Sequence, residues 1–197
     1  MKLSAFGGGI KAGGPNYVAQ FMVVTDKPGA VEDWQKSYQN AYKQEFSTVR
    51  DWNKCIGEQN LFRYLPVKSM CLRLFDGDNK EDVLKVVYAA NLVGAPLTIS
   101  IDSKNPLLSV VKELGVNVKE ESLDAFLKSV KSYERLRTIT DKVPAELWAA
   151  AANADRYIAS LKPMNEGRLE LINYIKEQSI AFEYHRYGSM PVVPEDK

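Results

Sequence analysis

Residues 70–101 have the sequence MCLRLFDGDNKEDVLKVVYAANLVGAPLTISI, and this stretch decides the fold class. It opens with apolar residues interrupted by one arginine and then reaches Asp76-Gly77-Asp78, which predicts a strand followed by a turn. Residues 81–93 carry apolar side chains at helical spacing and precede Gly94, a typical C-terminal stop. Residues 97–101 are almost continuously apolar, as in a strand that is buried on both faces. The stretch therefore predicts one β-α-β unit.

Strand and helix continue to alternate along the rest of the chain. The predicted elements are a short helix after Pro106 that ends at Gly115, strand 116–118, helix 123–130 capped by Ser122, strand 135–139, helix 144–153, strand 157–159, helix 166–177 and strand 179–182. Repeated units of this kind predict an α/β fold, namely a Rossmann-like, doubly wound and mainly parallel sheet with right-handed crossovers.

The first sixty residues follow a different pattern. Residues 1–16 are rich in glycine and cannot form a regular element by themselves, so we expect them to lie inside a structure whose beginning is missing. Residues 17–25 are aromatic and β-branched, which predicts a strand. Residues 30–50 place an apolar residue at every third or fourth position, which predicts one long amphipathic helix.

The composition is typical of a soluble globular protein. Hydrophobic residues make up 45% of the chain and charged residues 26%, and 26 Lys+Arg against 25 Asp+Glu leave a net charge of +1. This balance does not predict binding to nucleic acid or to an anionic membrane. No apolar run is long enough to span a bilayer, and two cysteines in 197 residues do not predict a disulfide framework. We expect a reduced, cytoplasmic protein.

Two short motifs suggest ligand sites, and their context argues against both. Residues 7–12 satisfy the G-x-G-x-x-G/A dinucleotide pattern, but a predicted strand follows them where that pattern needs a helix. Residues 76–82 resemble the start of a calcium loop, but Lys80 and Glu81 stand where such a loop needs an oxygen ligand and a glycine. Acidic residues near a helix N-terminus explain the second motif better.

The cysteines do not predict a metal centre or a nucleophile. Cys55 follows the long predicted helix, Cys71 lies in an apolar strand, and the single histidine, His185, is far from both in sequence. A zinc site or a Cys/His pair would need more ligands or a base nearby. We therefore expect Cys71 to be a small core residue.

A polar and aromatic cluster, Glu183-Tyr184-His185-Arg186-Tyr187-Gly188, follows the last predicted strand. The carboxyl ends of strands are where ligands gather in doubly wound folds. Two interpretations stay open at this point. The cluster either contacts a ligand, or it is a C-terminal segment that docks through its tyrosines.

Four stretches of the sequence resemble a known family. Residues 6–17, FGGGIKAGGPNY, resemble a segment near the end of the catalytic domain of L-glutamate γ-semialdehyde (1-pyrroline-5-carboxylate) dehydrogenases, of the aldehyde dehydrogenase superfamily. Residues 57–66, GEQNLFRYLP, look like the entry to the C-terminal domain of bifunctional proline utilization A proteins. Residues 166–171, EGRLEL, and 177–188, EQSIAFEYHRYG, look like the closing part of relatives in that group. The resemblance spans nearly the whole chain.

The resemblance implies a reaction whose machinery lies elsewhere. In that family a cysteine attacks the aldehyde, hydride passes to NAD, and water releases glutamate; the cysteine needs a site that favours its thiolate and an oxyanion donor. These groups lie upstream of the segment that residues 6–17 resemble. The resemblance therefore assigns this chain no catalytic, cofactor-binding or metal-binding residue, and NAD is the cofactor of the parent enzyme. It also predicts a Pro-Phe-Gly-Gly turn before Met1, preceded by the nucleophilic cysteine.

The resemblance also implies a domain organisation. Residues 1–26 would end an aldehyde dehydrogenase catalytic domain, 27–60 would form a helical linker, 61–188 a Rossmann-like domain without a cofactor site, and 189–197 a polar tail. A candidate interface strand within residues 17–25, through which a homodimer would pair, contains Tyr17, Val18, Phe21 and Val23. A candidate site-closing segment contains Glu183, Tyr184, His185, Arg186 and Tyr187. The long proline utilization proteins differ from this chain over that second segment.

The expected function is that of a non-catalytic covering and assembly domain of an NAD-dependent glutamate-semialdehyde dehydrogenase in proline degradation. Its partner would be the rest of the parent enzyme, which in the long proline utilization proteins includes proline dehydrogenase. A lid of this kind excludes water and holds an intermediate near its site. The alternative is an independent α/β module that binds a small anion near His185 and Arg186.

Overall fold

The computed structural model describes residues 33–52, 54, 57–140 and 142–183. Within these ranges the chain divides into two compact units, one comprising residues 33–43 and 66–176 and the other comprising residues 44–65 and 177–183. The first is an α/β unit and the second contains a small sheet. Across the described ranges, no helix is both long enough and apolar enough to cross a membrane.

The α/β unit is built on five parallel strands. In chain order they are β3 (Met70–Arg73), β4 (Leu97–Ile101), β5 (Asn117–Glu120), β6 (Arg135–Arg137) and β7 (Tyr157–Ala159). Their spatial order is β5-β4-β3-β6-β7, and each neighbouring pair is parallel. The chain thus starts at the central strand, moves outward on one side, and returns to fill the other. This confirms the Rossmann-like, doubly wound prediction.

The α-helices in the described part of the chain are α1 (Trp34–Ala41), α2 (Lys80–Val93), α3 (Leu108–Lys112), α4 (Leu123–Ser129), α5 (Ala145–Asn153) and α6 (Gly167–Glu170). Helices α2 to α5 connect consecutive strands of the parallel sheet. The Asn79 side chain accepts a hydrogen bond from the Asp82 amide at the start of α2, and Ser122 accepts one from Ala125 at the start of α4. Gly94 ends α2 with a φ of 75°, a left-handed conformation that favours glycine.

One face of the parallel sheet packs against α4 and α5. Cys71, Leu136 and Ile158 from three adjacent strands meet Phe126 of α4 and Leu147 of α5, all of them buried. Successive strand residues point to opposite faces, so Leu72 and Arg137 belong to the other face. This packing accounts for the apolar residues that these three strands direct to this face.

The opposite side of the unit contains a hydrogen-bonded ion pair with almost no solvent exposure. Arg137 and Glu170 are each 1% exposed, and a guanidinium nitrogen lies 3.0 Å from the carboxylate. The Tyr174 hydroxyl donates to the same carboxylate oxygen at 2.7 Å, and the Met164 amide donates to the other oxygen at 2.9 Å. The pair therefore joins strand β6 to α6 and the turn that follows it.

Helix α1 approaches α6 very closely. The Gly167 amide donates to the Ser37 hydroxyl at 2.9 Å, and the Tyr38 hydroxyl donates to the Met164 carbonyl at 2.5 Å. A Cβ atom on Gly167 would lie 2.5 Å from the carbonyl oxygen of Ser37. Only glycine permits this backbone-to-backbone contact.

The second unit contains a three-stranded sheet built from β1 (Arg50–Asp51), β2 (Glu58–Pro66) and β8 (Ile175–Glu183). Their spatial order is β1-β2-β8, and β1 pairs with β2 antiparallel. Phe62 and Phe46 each pack edge-on against the ring of Tyr64. This aromatic cluster gives the small sheet a core of its own.

Three predicted elements differ from the structure. The helix predicted over residues 30–50 is α-helical only over Trp34–Ala41 and continues as a π-helix over Tyr42–Phe46. The predicted helix 166–177 is α6 followed by a 3-10 turn, and strand β8 already begins at Ile175. Strand β8 belongs to the small sheet and not to the parallel one, and β1 and β2 were not predicted.

Candidate functional site

The carboxyl edge of the parallel sheet is the candidate site. The sheet order reverses between β3 and β6, because the chain runs from β3 to one side and later returns through β6 to the other. In open α/β sheets, ligands bind outside the carboxyl ends of the strands at such a reversal. The turn after β3 and the last residue of β3 therefore decide what this edge can bind.

The turn between β3 and α2 is acidic. Asp76 and Asp78 lie in the turn, and Glu81 and Asp82 lie in the first turn of α2. A carboxylate oxygen of Asp78 accepts a hydrogen bond from the Phe75 amide at 2.8 Å, so the Asp78 side chain folds back toward the end of the strand. Four acidic residues thus lie in the turn and in the first turn of α2, the end of the helix at which a dinucleotide fold would hold its pyrophosphate.

The electrostatics of this turn oppose an anionic ligand. Burial raises the pKa of Asp78, the backbone hydrogen bond from Phe75 partly counters it, and the nearby Asp82 and Asp76 raise it further. The turn has a single glycine, Gly77, with a φ of 91°. A pyrophosphate needs glycines for close approach and amide groups free to bind it, whereas here acidic residues flank the single glycine and the Phe75 amide already donates to Asp78.

Arg73 is the last residue of strand β3 and lies at the same edge of the sheet. It is 3% exposed, and one terminal guanidinium nitrogen, Nη1, donates to the Ser100 hydroxyl and to the Glu121 carbonyl, both at 2.9 Å. The Ser100 hydroxyl in turn donates to the Glu121 carboxylate at 2.7 Å. This network ties β3 to β4 and to the loop that follows β5.

Two aromatic rings lie beside the Arg73 guanidinium. Its central carbon is 5.7 Å from the ring centroid of Phe75 and 5.6 Å from that of Phe126. Burial lowers the pKa of Arg73, and the nearby Glu121 and Asp102 carboxylates counter part of this effect. The guanidinium Nε is buried, and no described residue accepts a hydrogen bond from it.

Cys71 lies two residues before Arg73 and does not have the properties of a nucleophile. It is fully buried, and burial raises the pKa of its thiol to about 12, although a hydrogen bond with Tyr133 acts in the opposite direction. A reactive cysteine needs a lowered pKa and some exposure. Cys71 is thus a core residue, as the sequence predicts.

The other predicted residues lie mostly outside the described ranges. Glu183 is the exposed last residue of β8, whereas residues 184–187 of the candidate site-closing segment are beyond the described part. The same holds for Cys55 and for the candidate interface strand with Tyr17, Val18, Phe21 and Val23. Within the described ranges, no three His, Cys, Asp or Glu side chains are grouped so that they could hold a metal ion.

The sequence analysis did not predict that Arg73 and Arg137 are buried and hydrogen-bonded within the α/β unit. Arg73 is the one charged residue of β3, whereas β6 consists of Arg135, Leu136 and Arg137. An arginine at a buried strand position needs partners, because charged side chains are almost never fully buried alone. That signal was present in the sequence, but it identifies neither Ser100 nor Glu170 as the partner.

Comparison with known proteins gives a likeness in fold. No protein-family model matches the chain, and no curated protein matches it significantly. Proline Utilization A from Corynebacterium freiburgense aligns with 93% of this chain and 18% of its own, at a TM-score of 0.61 and 22% identity. Histidinol dehydrogenase from Elizabethkingia anophelis aligns with 74% of this chain and 37% of its own, at a TM-score of 0.50 and 13% identity. This chain therefore spans less than half of either neighbour and shares a fold with part of each.

Proposed function

We propose that this chain is a non-catalytic covering and assembly domain of an NAD-dependent L-glutamate γ-semialdehyde dehydrogenase in proline degradation. The observation that carries the proposal is the likeness in fold along 93% of this chain to a part of Proline Utilization A. The sequence resemblance at residues 6–17 and 57–66 points to the same family. A covering domain acts by excluding water and by holding an intermediate close to the site that consumes it.

The proposed domain binds no NAD of its own. Support comes from the turn after β3, where Asp76 and Asp78 stand at the position that a dinucleotide fold gives to glycines. Asn79 and Asp82 hydrogen-bond each other at the N-terminus of α2, so the Asp82 amide at that end of the helix already has an acceptor. The catalytic cysteine and NAD would be supplied by the dehydrogenase polypeptide that the domain covers.

An activity assay with two components tests this function. The chain alone, supplied with glutamate semialdehyde and NAD, should form no NADH above the rate without protein. Coexpressed with the catalytic polypeptide of a 1-pyrroline-5-carboxylate dehydrogenase from the same source, it should co-purify and raise kcat/KM for the semialdehyde. Turnover by the chain alone, or separate elution with an unchanged rate, would contradict the proposal.

The second candidate function is an independent module for a small anion. It gains support from Arg73, a buried guanidinium at the ligand-binding edge of the sheet. His185 and Arg186, which the sequence suggests for this role, lie outside the described ranges. Tight binding of one carboxylate metabolite per chain, without any effect on a dehydrogenase, would favour this candidate over the covering domain.

A further inference from the structure

The turn after β3 contains Asp76-Gly77, the one Asp-Gly pair in the sequence. Both residues are exposed, and the Asp78 amide donates to the Phe75 carbonyl at 3.3 Å, so the pair occupies the two central positions of a tight turn. The φ of Gly77 is 91°, and a Cβ at this position would meet no atom within 4 Å. The peptide bond between the two residues is therefore accessible and is not held by packing against another element.

The reactive groups of this pair have no partners in the described part of the chain. No described residue donates a hydrogen bond to the Asp76 carboxylate or accepts one from the Gly77 amide. The neighbouring Asp78 differs, because its carboxylate accepts a hydrogen bond from the Phe75 amide at 2.8 Å. Glycine also leaves its own amide nitrogen more accessible and more mobile than any other residue does. The Asp76 carboxyl group and the Gly77 nitrogen can thus approach each other.

We propose that Asp76-Gly77 is a site of spontaneous aspartate isomerisation. The Gly77 amide nitrogen attacks the side-chain carboxyl carbon of Asp76, so that a C–N bond forms, a C–O bond breaks and a water molecule leaves. The product is a succinimide ring. Water then opens the ring at either of its carbonyl carbons. Opening at the main-chain carbonyl gives isoaspartate, in which the chain runs through the side-chain carbons, and the whole sequence changes neither the atom count nor the oxidation state.

Isomerisation would alter the carboxyl edge of the parallel sheet. Isoaspartate adds a carbon to the main chain inside the tight turn, so the Asp78 amide can no longer reach the Phe75 carbonyl with its present geometry. The hydrogen bond from the Phe75 amide to the Asp78 carboxylate, which closes the same turn, would be disturbed with it. The inference stands independently of the proposed covering function, because the reaction needs only this chain and water.

Asp102-Ser103 provides a comparison within the same chain. It also joins an aspartate to a small residue, and it lies directly after strand β4. Its carboxylate, however, accepts a hydrogen bond from the Lys104 amide at 3.0 Å. That hydrogen bond must break before the carboxyl group can reach the Ser103 nitrogen, so the folded structure should slow isomerisation at Asp102 but not at Asp76.

Peptide mapping of aged protein tests the proposal. The folded chain is kept at neutral pH and body temperature, and electron-transfer fragmentation distinguishes isoaspartate from aspartate at positions 76 and 102. Each rate is divided by the rate in a synthetic peptide of the same local sequence, which removes the effect of the following residue. The ratio at Asp76 should lie within about threefold of unity. The ratio at Asp102 should be lower by about fivefold or more. Equal ratios, or no isoaspartate at position 76, would overturn the proposal.

Two conservative variants give the matched control. Asp76→Glu keeps the exposed charge but requires a larger and less favourable ring, so isomerisation at position 76 should fall by about tenfold or more. Asp102→Glu should leave the rate at position 76 unchanged. An undiminished rate in Asp76→Glu, or an equal fall in Asp102→Glu, would overturn the proposal. The two wild-type ratios decide the matter if circular dichroism shows that either variant does not fold.

Discussion

Gly167→Ala should destabilise the α/β unit by about 3 kcal/mol, near the upper end for an inserted methyl group in a packed interior. The added Cβ would lie 2.5 Å from the Ser37 carbonyl oxygen and 2.7 Å from the Tyr38 Cα, closer than such atoms can approach. Both neighbours are backbone atoms, so helices α1 and α6 would have to separate. The Gly167–Ser37 hydrogen bond, now 2.9 Å, would lengthen or break. The measurement is thermal unfolding, where we expect a fall in Tm of roughly 6–12 °C.

Gly115→Ala is the control for this prediction. A Cβ there meets no atom within 4 Å, but the φ of 69° is left-handed. The free energy of unfolding of the control should therefore fall by only about 1 kcal/mol, the cost of a side chain in that backbone conformation. Gly167 does not have a positive φ, so equal losses in the two variants would mean that the contact between the helices costs no more than a strained backbone does, which would contradict the prediction.

Glu170→Gln should destabilise the same unit by about 3–5 kcal/mol, because it leaves the Arg137 charge buried without its counter-ion. Both side chains are 1% exposed, so water cannot replace the lost carboxylate. Burial opposes the charge of Arg137, but the nearby Tyr174 and Glu170 groups raise its pKa overall, so the guanidinium stays protonated. Urea unfolding followed by circular dichroism gives the loss directly.

Two further variants test whether burial of the ion pair explains the loss of stability in Glu170→Gln. Glu81→Gln removes a carboxylate that is 70% exposed and lies 2.9 Å from Lys85, and it should cost about 0.5 kcal/mol or less. Arg137→Met combined with Glu170→Leu removes both charges, and it should recover part of the loss seen in Glu170→Gln. A double variant less stable than Glu170→Gln would show that the hydrogen bonds, and not the unpaired charge, account for the loss.

Local sequence signals predicted most of the parallel sheet. The apolar runs at residues 97–101 and 157–159 have the bounds that the structure gives to β4 and β7. Gly94 and Ser122 mark helix ends because each acts through its own backbone or side chain. Such signals depend on neighbours within a few positions, so they can be read without knowing the fold.

The errors come from contacts between distant parts of the chain. Residues 174–177 continue the helical spacing of the preceding segment, yet Ile175 begins strand β8, which pairs within the small sheet. The short helix α6 is set by the contact of Gly167 with Ser37, which lies 130 positions away. Tertiary contacts of this kind override local propensity and leave no periodic pattern.

The candidate site could be predicted only in outline. Asp76-Gly77-Asp78 was recognised as an acidic turn, and its position at the sheet edge follows from the fold. The partnership of Arg73 with Ser100 spans 27 positions, and that of Arg137 with Glu170 spans 33. Which buried arginine finds an acid depends on the loops that reach it, and no spacing rule in the sequence specifies this.

The central claim is that this Rossmann-like domain has no NAD-binding site, and calorimetric titration of NAD into the chain tests it most directly. The carboxylates of Asp76 and Asp78 should repel the pyrophosphate at low ionic strength, where such repulsion is strongest. We expect no saturable heat, whereas an NAD-dependent dehydrogenase run in parallel should give a full isotherm. Binding of one NAD per chain with micromolar affinity would contradict the account.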